Sequence, residues 1–354
     1  MHELKNWAFE MMEPLFADLA EFNLSVAAVI ERKSSGRIWV DAAENPCAGF
    51  LISPEGAYLA GSCADEGGEA GLKEVIPFGA YLIADPEAWG EKLGRVWCNQ
   101  FARGHGRRHY LFREKRLADW RERIPDGFAV VRIDAELLSR QGLGNVGQVH
   151  EWIEDSWEEE KRFLKSGFGF CTMHGERIVS WCLADCVSGE RCEIGIDSDP
   201  EYRRRGLASA TVAATVDLCI ERGLTEIGWH CLETNSGSQR VAEKVGFELE
   251  RKYRAFSSGY PAENAGDLNR EEWLGWAAYY HQAAEKERMF RYGEVECLTQ
   301  AGEEEGALRV LQQMVDDGWD CPIGWLRGHW AFAGLHGTDG WERLILRIEA
   351  AEEG

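Results

Sequence analysis

The chain has 354 residues, more than a single hydrophobic core usually supports, so two or three domains are expected. A hydrophobic fraction of 45% with 15 Trp and 15 Phe excludes a disordered chain, and no apolar run approaches the ~18 residues that span a bilayer. A net charge of −22 disfavours nucleic acid or an anionic membrane as partner and favours small cations or basic partners.

The first residues, Met1 to Trp7, lack the apolar core of a secretion signal. Eleven scattered cysteines without a C-x-x-C pair read as buried free thiols in a reducing cytoplasm, and no metal site is expected. Leu4, Trp7, Ala8, Met11, Leu15, Leu19 and Phe22 recur at helical spacing, with Pro14 placed to kink or divide that helix. From Leu24 the texture is strand-like: Leu24 to Glu31, a turn at Ser34 to Gly36, Arg37 to Val40, then Cys47 to Ile52 and Ala57 to Gly61 around a Pro54 to Gly56 turn. A strand at Tyr81 to Ala84 leads into a helix expected over Glu87 to Ala102, with Asp85 as its cap and Pro86 in its first turn. The basic run from Arg103 to Arg123 reads as a solvated helix face, or as a segment reaching a ligand across a domain interface; a nucleic-acid patch is opposed by the overall charge.

Pro125-Asp126-Gly127 marks a domain boundary, after which the pattern resets. Strand Phe128 to Ile133, a helix from Asp134, a glycine-rich loop at Gly142 to Gly147 and a helix from about Val149 to Lys165 come first. Strands at Gly167 to His174, Ile178 to Val187 and Arg191 to Ser198 follow, implying an α/β or α+β domain with its ligand at the strand ends. The last of these strands breaks at Asp199-Pro200. A turn then carries Arg203, Arg204 and Arg205 to Gly206, where a helix starts on Leu207, Ala208 and Ser209. A helix N-terminus exposes unpaired N–H groups and a partial positive charge, and Gly206 and Ala208 let an anion approach the backbone. The three guanidinium groups add charge-assisted contacts, so the stretch reads as a cradle for a pyrophosphate or a nucleotide-like ligand. That helix ends at Arg222-Gly223; Glu226 to Leu232 is a strand, Ser236 to Val245 a helix and Phe247 to Phe256 a strand.

After Pro261 the composition shifts to Trp, Tyr, Ala and Glu at helical spacing: Trp273, Trp276, Ala277, Tyr280 and Ala284, then Tyr292 to Gln300, then Ala307, Leu308, Leu311 and Met314. The pattern resembles a degenerate tetratricopeptide-like hairpin, read either as an interaction module or as a cap over apolar surface of the catalytic domain or of the second copy in a homodimer. The expected organisation is an N-terminal α/β domain over 1–125, a second domain over 126–260 and a helical module over 268–354.

The order of elements over residues 128–256, with Arg203, Gly206 and Ala208 matching Gln/Arg-x-x-Gly-x-Gly/Ala and with Asn235, Ser238 and Lys244 to Phe247 behind them, resembles the GNAT acetyltransferase superfamily. With its N-terminal portion the chain also resembles the zwittermicin-A-resistance type of GNAT protein. The resemblance implies a GNAT fold with a central mixed sheet, acetyl-CoA as co-substrate and transfer of its acetyl group to a primary amine. The acidic balance then points to a small cationic acceptor, such as an amine antibiotic or a polyamine. The same resemblance implies a cofactor site built from the backbone of Ile196, Asp197 and Ser198, from the stretch Arg203 to Ser209, and from Asn235 and Ser238. Asn235 is equally readable as the cap of the helix beginning at Ser236.

Amine acylation needs a base for the amine, a polarised carbonyl and a proton for the departing thiolate. Glu193, His230 and Glu233 are the candidate bases, with a hydrogen-bonded structural histidine as the other reading of His230. The family often carries a Tyr seven residues after the asparagine as the acid, and here that position is Ala242. The acid must then be Tyr253, Tyr260 or solvent, or the fold only holds acyl-CoA as a binding or scaffold protein. Cys231 beside His230 would point to the opposite face of its strand, which sets it apart from His230 as a nucleophile.

Overall fold

A computed structural model of the protein describes residues 1–62, 66–259, 262, 265–318 and 323–352. Residues 1–98 with 104–256 form one compact unit, and residues 99–103 with 257–354 form another.

The first unit is built on a twelve-stranded mixed sheet. Its first six strands are β1 (His2–Glu3), β2 (Arg37–Val40), β3 (Ala48–Ser53), β4 (Gly56–Gly61), β5 (Leu82–Ala84) and β6 (Arg103–Phe112). The remaining six are β7 (Phe128–Arg132), β8 (Gly169–His174), β9 (Arg177–Ser188), β10 (Arg191–Ser198), β11 (Glu226–Leu232) and β12 (Phe247–Ser257). Across the sheet the order is β1-β2-β3-β4-β5-β12-β6-β11-β10-β9-β8-β7. Read from either edge inward, the two halves follow one plan: four strands, a fifth running parallel to the fourth (β4 with β5, β10 with β11), then a sixth taken from the other half. The exchange puts β6 against β11 and β12 against β5. The boundary expected at residues 125–126 therefore falls inside a single unit, because a hydrogen-bonded ladder crosses it.

Helices of this unit include α1 (Glu13–Ala20), α2 (Leu24–Ile30), α3 (Glu66–Val75), α4 (Pro86–Trp89), α5 (Leu93–Val96), α6 (Ala135–Leu138), α7 (Val146–Trp157), α8 (Glu160–Ser166), α9 (Leu207–Glu221) and α10 (Ser236–Val245). One of these segments follows the expectation and three differ from it. Pro14 divides the first helix, with a 3-10 segment at Asn6–Met12 before it and α1 after it, as a ring without an N–H favours the first turn. Leu24–Ile30 is a helix rather than a strand. Its seven residues are all buried, and an apolar run of that length carries no periodicity to separate the two forms. The helix expected over 87–102 is two four-residue helices, α4 and α5. The expected helix around 149–165 breaks at Glu158, which takes a φ of +62° between α7 and α8.

The basic run corrects the reading most. Arg103 to Phe112 is strand β6 in the interior of the sheet, with Arg107 paired to Leu232 and His109 to His230. Its alternation puts His109 on one face and Tyr110, fully buried, on the other. A core of Tyr110, Cys182, Ile194, Val212, Trp229, Ala242 and Phe247 gathers beneath α9 and α10, while Phe16, Val29, Ile38, Leu51 and Tyr58 form a separate cluster under α1 and α2. Among the described cysteines all nine are free; seven are buried, but Cys47 and Cys98 are exposed, so the expectation of buried thiols fails for those two. Cys63 and Cys321 lie outside the described residues.

The second unit carries helices α11 (Arg270–Ala284), α12 (Arg291–Gln300), α13 (Glu304–Asp316), α14 (Ile323–Gly328) and α15 (Asp339–Glu352). Asn269 and Glu272 close a capping box at the start of α11. Val295, Leu311, Met314, Phe332, Trp341 and Ile345 fill its core. The Arg103 guanidinium lies 4.4 Å from the ring centroids of both Trp276 and Tyr279. No described helix is long and apolar enough to cross a membrane.

Candidate active site

The parallel pairing of β10 with β11 runs only from Arg191 and Glu226 to Glu193 and Gly228. Beyond it, Ile194 to Ser198 pair only with β9, and Trp229 to Leu232 only with β6. A register shift between Glu193 and Ile194, where Asp185 of β9 is the extra, unpaired residue, accompanies the parting of the two strands. The strands thus open a cleft whose β10 side exposes unpaired backbone groups.

At the far end of β10 the chain passes through a 3-10 turn at Pro200–Tyr202, held by the Asp199 carboxylate. Asp199 accepts the Glu201 N–H at 3.0 Å and pairs with Arg177 at 2.7 Å. Arg204 and Gly206 then take φ of +63° and +83°, and α9 begins. Within 4 Å of where a Gly206 Cβ would stand there is no other atom. The first turn of α9 carries no acidic residue, so its own side chains offer no carboxylate to its leading N–H groups. Arg203, Arg204 and Arg205 are exposed around this opening. Arg203 donates to the Ser198 carbonyl at 3.3 Å and Arg205 to the Glu201 carbonyl at 3.3 Å, which holds their stems in place. Leu207 and Ser209 are buried, fastening the helix to the sheet, while Ala208 is half-buried. The donor set, the open space and the charge fit a pyrophosphate.

The strand residues nominated beside it are arranged unevenly. Ile196 is partly buried against the core. The Ser198 N–H is already taken by the Asp197 carboxylate at 2.6 Å, and the Ser198 hydroxyl meets Ser180 at 2.8 Å. Burial raises the Asp197 pKa, with the Ser198 N–H and Arg203 pulling against it. Asn235 caps α10, accepting the Ser238 N–H at 2.8 Å, and the Ser238 hydroxyl accepts from the Trp229 indole at 3.0 Å. Of the two readings of Asn235, the cap is the one with a partner in view.

Glu193, His230 and Tyr253, from β10, β11 and β12, meet in one hydrogen-bonded chain. His230 Nε2 lies 3.1 Å from Glu193 Oε1, and His230 Nδ1 lies 3.0 Å from the Tyr253 hydroxyl. The Arg107 Nε–H donates to that hydroxyl at 3.3 Å, and the Leu24 N–H donates to Glu193 Oε1 at 2.7 Å. Arg107 and Leu24 were missed by sequence reasoning; both lie in segments assigned the wrong secondary structure. Each partner fixes the next: a carboxylate only accepts and a guanidinium only donates. Tyr253 O–H therefore donates to Nδ1, and Nε2–H donates to Glu193. Burial pushes the Glu193 pKa up, but the His230 charge, its hydrogen bond and the Leu24 N–H outweigh this and hold the carboxyl below its usual range. Burial also raises the Tyr253 pKa, so that phenol stays protonated.

Glu233 is no part of this chain: it pairs with Lys252 at 2.9 Å and Arg108 at 3.3 Å on an exposed surface. Cys231 is buried with Trp229 in the core on the opposite face of β11 from His230. Ala242 is fully buried in that same core. Tyr260 lies outside the described residues.

Around Glu193 further carboxyl groups gather. Asp185 on β9 accepts the Trp152 indole N–H at 2.7 Å. Gly195 leaves room for both, since a Cβ there would stand 2.4 Å from the Trp152 ring and 2.7 Å from the Asp185 carboxylate. Burial and then Glu55 push the Asp185 pKa well up; burial and then Glu193 push Glu55, in the β3–β4 turn, up to about 7. Asp155 on α7 is raised by burial and by Glu154. Glu55, Asp155 and Asp185 all keep surface open to water, and burial is the first cause of each raised pKa.

Parted parallel strands, an open helix start after β10 and the hydrogen-bonded chain Glu193–His230–Tyr253 beside the parting make up the candidate site. A family model for GNAT acetyltransferases matches residues 13–256, and the chain belongs to that family. Over 136 residues it is 31% identical to an uncharacterised N-acetyltransferase of Bacillus subtilis (strain 168), YdfB, a match covering 38% of this chain; the chain spans about half the length of that relative, 50%. The solved structure of a GCN5-related N-acetyltransferase-like protein from Streptococcus suis 89/1591 has the same fold, with a TM-score of 0.54 at 21% identity over 70% of this chain and 99% of that one.

Proposed function

We propose that the protein transfers an acetyl group from acetyl-CoA to a primary amine of a small, cationic acceptor. The observation that carries the reading is the chain Arg107–Tyr253–His230–Glu193, which ends beside the parted strands and beside the cluster of Glu55, Asp155 and Asp185. Bound acetyl-CoA supplies a thioester whose carbonyl carbon an amine can attack. The cradle at Arg203 to Ala208 holds the pyrophosphate, and β10 from Ile194 to Ser198 offers backbone groups to the arm.

Tyr253 oxygen takes the proton of the attacking amine while its own proton passes to His230 Nδ1, and Glu193 stabilises the imidazolium so formed. When the carbon–sulfur bond breaks, the same path runs in reverse: His230 returns its proton to Tyr253, which protonates the departing thiolate. Arg107 beside the phenol oxygen stabilises the partial negative charge that passes through it. The relay thus does the work of the tyrosine that Ala242 replaces.

The carboxyl groups near Glu193 favour an acceptor carrying a second cationic centre besides the reacting amine, as in a polyamine or an amine antibiotic. The test is thiol release from acetyl-CoA in the presence of an amine panel. Diamines and polyamines are expected to release thiol faster than monoamines or neutral amino sugars. Acetyl-CoA binding with no thiol release for any amine would leave the protein an acyl-CoA binder and overturn the reading.

A further inference from the structure

His109 lies outside the relay, yet it is the residue most tightly laid against it. β6 and β11 run antiparallel with His109 directly opposite His230, and the two imidazoles stack with centroids 4.5 Å apart and planes 11° from parallel. His109 is 4% exposed, and its Nδ1 has no hydrogen-bond partner among the described residues. A small cavity beside it has Glu21, Leu24, His109, Arg191, Glu193 and Gly228 among its lining residues. A Cβ on Gly228 would stand 3.0 Å from Glu193 Cγ and 3.4 Å from His109 Nε2, so the bare backbone lets both side chains close in on the same spot.

Burial first, and then the neighbouring His230, push the His109 pKa down to about 3; Arg251 and Arg113 act in the same sense and Glu193 against it. Around it stand Glu193 from β10, His230 from β11, Arg251 from β12 and Arg113 just beyond β6. His109 is therefore an uncharged aromatic plate throughout the neutral range. Such a plate adds no competing charge to an imidazolium and restricts its rotation about the Cβ–Cγ bond.

Resting on the acyl-transfer reading above, we propose that His109 is a positioning residue: its neutral ring, stacked on His230, fixes that imidazole so that Nδ1 meets Tyr253 and Nε2 meets Glu193. A ring free to flip would turn its carbons, Cδ2 and Cε1, to Tyr253 and Glu193 in place of the two nitrogens, and the relay would be broken for part of the time.

The test uses the whole protein with His109→Ala and His109→Phe, and two readouts. In steady-state kinetics His109→Ala is expected to lower kcat about 5- to 10-fold with the KM for acetyl-CoA unchanged, and His109→Phe, which keeps the stacked face, to restore most of it. In nitrogen-15 spectra of the His230 ring, the wild type and His109→Phe are expected to hold one tautomer, protonated on Nε2, and His109→Ala a mixture. A single tautomer with wild-type kcat in His109→Ala would overturn the proposal, as would a loss in His109→Phe equal to that in His109→Ala. The spectra need no turnover: a tautomer mixture confined to His109→Ala in a protein that transfers no acetyl group would support the positioning role and count against the acyl-transfer reading alone.

Discussion

The two halves of the sheet share one strand order but begin their helices differently after the fourth strand. After β4 comes α3, with Glu66 and Glu69 in its first turn; after β10 comes α9, with no acid in its first turn and Arg203, Arg204 and Arg205 ahead of it. Acidic side chains in a first turn neutralise the helix's own positive end, whereas a first turn without them leaves that end for an external anion. One topology therefore begins this helix with acids in its first half and without them in its second. The first half contributes in another way: it lends β6, and with it Arg107 and His109, and it turns Leu24 and Glu55 towards Glu193. On the proposed function, cofactor binding and acceptor chemistry are divided between a local device and one assembled by the strand exchange.

The largest effect expected short of the relay itself comes from making the second half resemble the first. Ala208→Glu puts an acid into the first turn of α9 at a helical position, free of the strain that any side chain would meet at Gly206 with its φ of +83°. Acetyl-CoA affinity measured by calorimetry is expected to fall by about 100-fold, about 3 kcal/mol, with thermal stability preserved. An unchanged affinity would mean that the anion is held elsewhere.

A smaller change tests the contribution of the first half. Glu55 is neutral below about pH 7 and charged above it, because burial raises its pKa. A cationic acceptor is attracted only by the charged form, so the acceptor KM is expected to fall as pH rises through about 7. In Glu55→Gln the acceptor KM at pH 8 should rise on the order of 10-fold and lose that pH dependence, with the acetyl-CoA KM untouched. A dependence that survives the substitution would assign the titration to Asp185 or Asp155.

The smallest effect separates the two readings of Asn235. As a helix cap alone, Asn235→Ala should cost about 1 kcal/mol in thermal unfolding and leave the acetyl-CoA KM unchanged. A KM that rises several-fold would add a direct contact with the cofactor's arm.

These contrasts also mark what the sequence could reveal. Arg203 to Ser209 are consecutive, and their chemistry lies in backbone conformation and charge, so the cradle is legible from seven letters. From Glu226 to Phe247 the strands and helices are bounded by Gly223, Asn235 and Gly246, residues with local conformational meaning, and their limits follow. The relay is another matter. Glu193, His230 and Tyr253 were legible as candidates by residue type, but their union depends on Tyr253 and Arg107, 146 positions apart, being brought together by strand pairing. No local pattern encodes that pairing. The basic run misled because its charge was read as a surface, while Arg107 and Arg108 spend theirs on Tyr253, Gln239 and Glu233. Leu24 to Ile30 misled because uniform burial erases the alternation that tells helix from strand.

The central claim is that binding and chemistry rest on separate groups, and Glu193→Gln tests it most directly. The amide keeps the shape of the side chain and an oxygen for the Leu24 N–H but removes the charge that stabilises a protonated His230. With acetyl-CoA and a diamine, the account predicts an acetyl-CoA Kd within about twofold of wild type and a kcat for thiol release lowered by about 100-fold or more. A wild-type kcat in the folded variant, or a Kd that weakens in step with kcat, would contradict it.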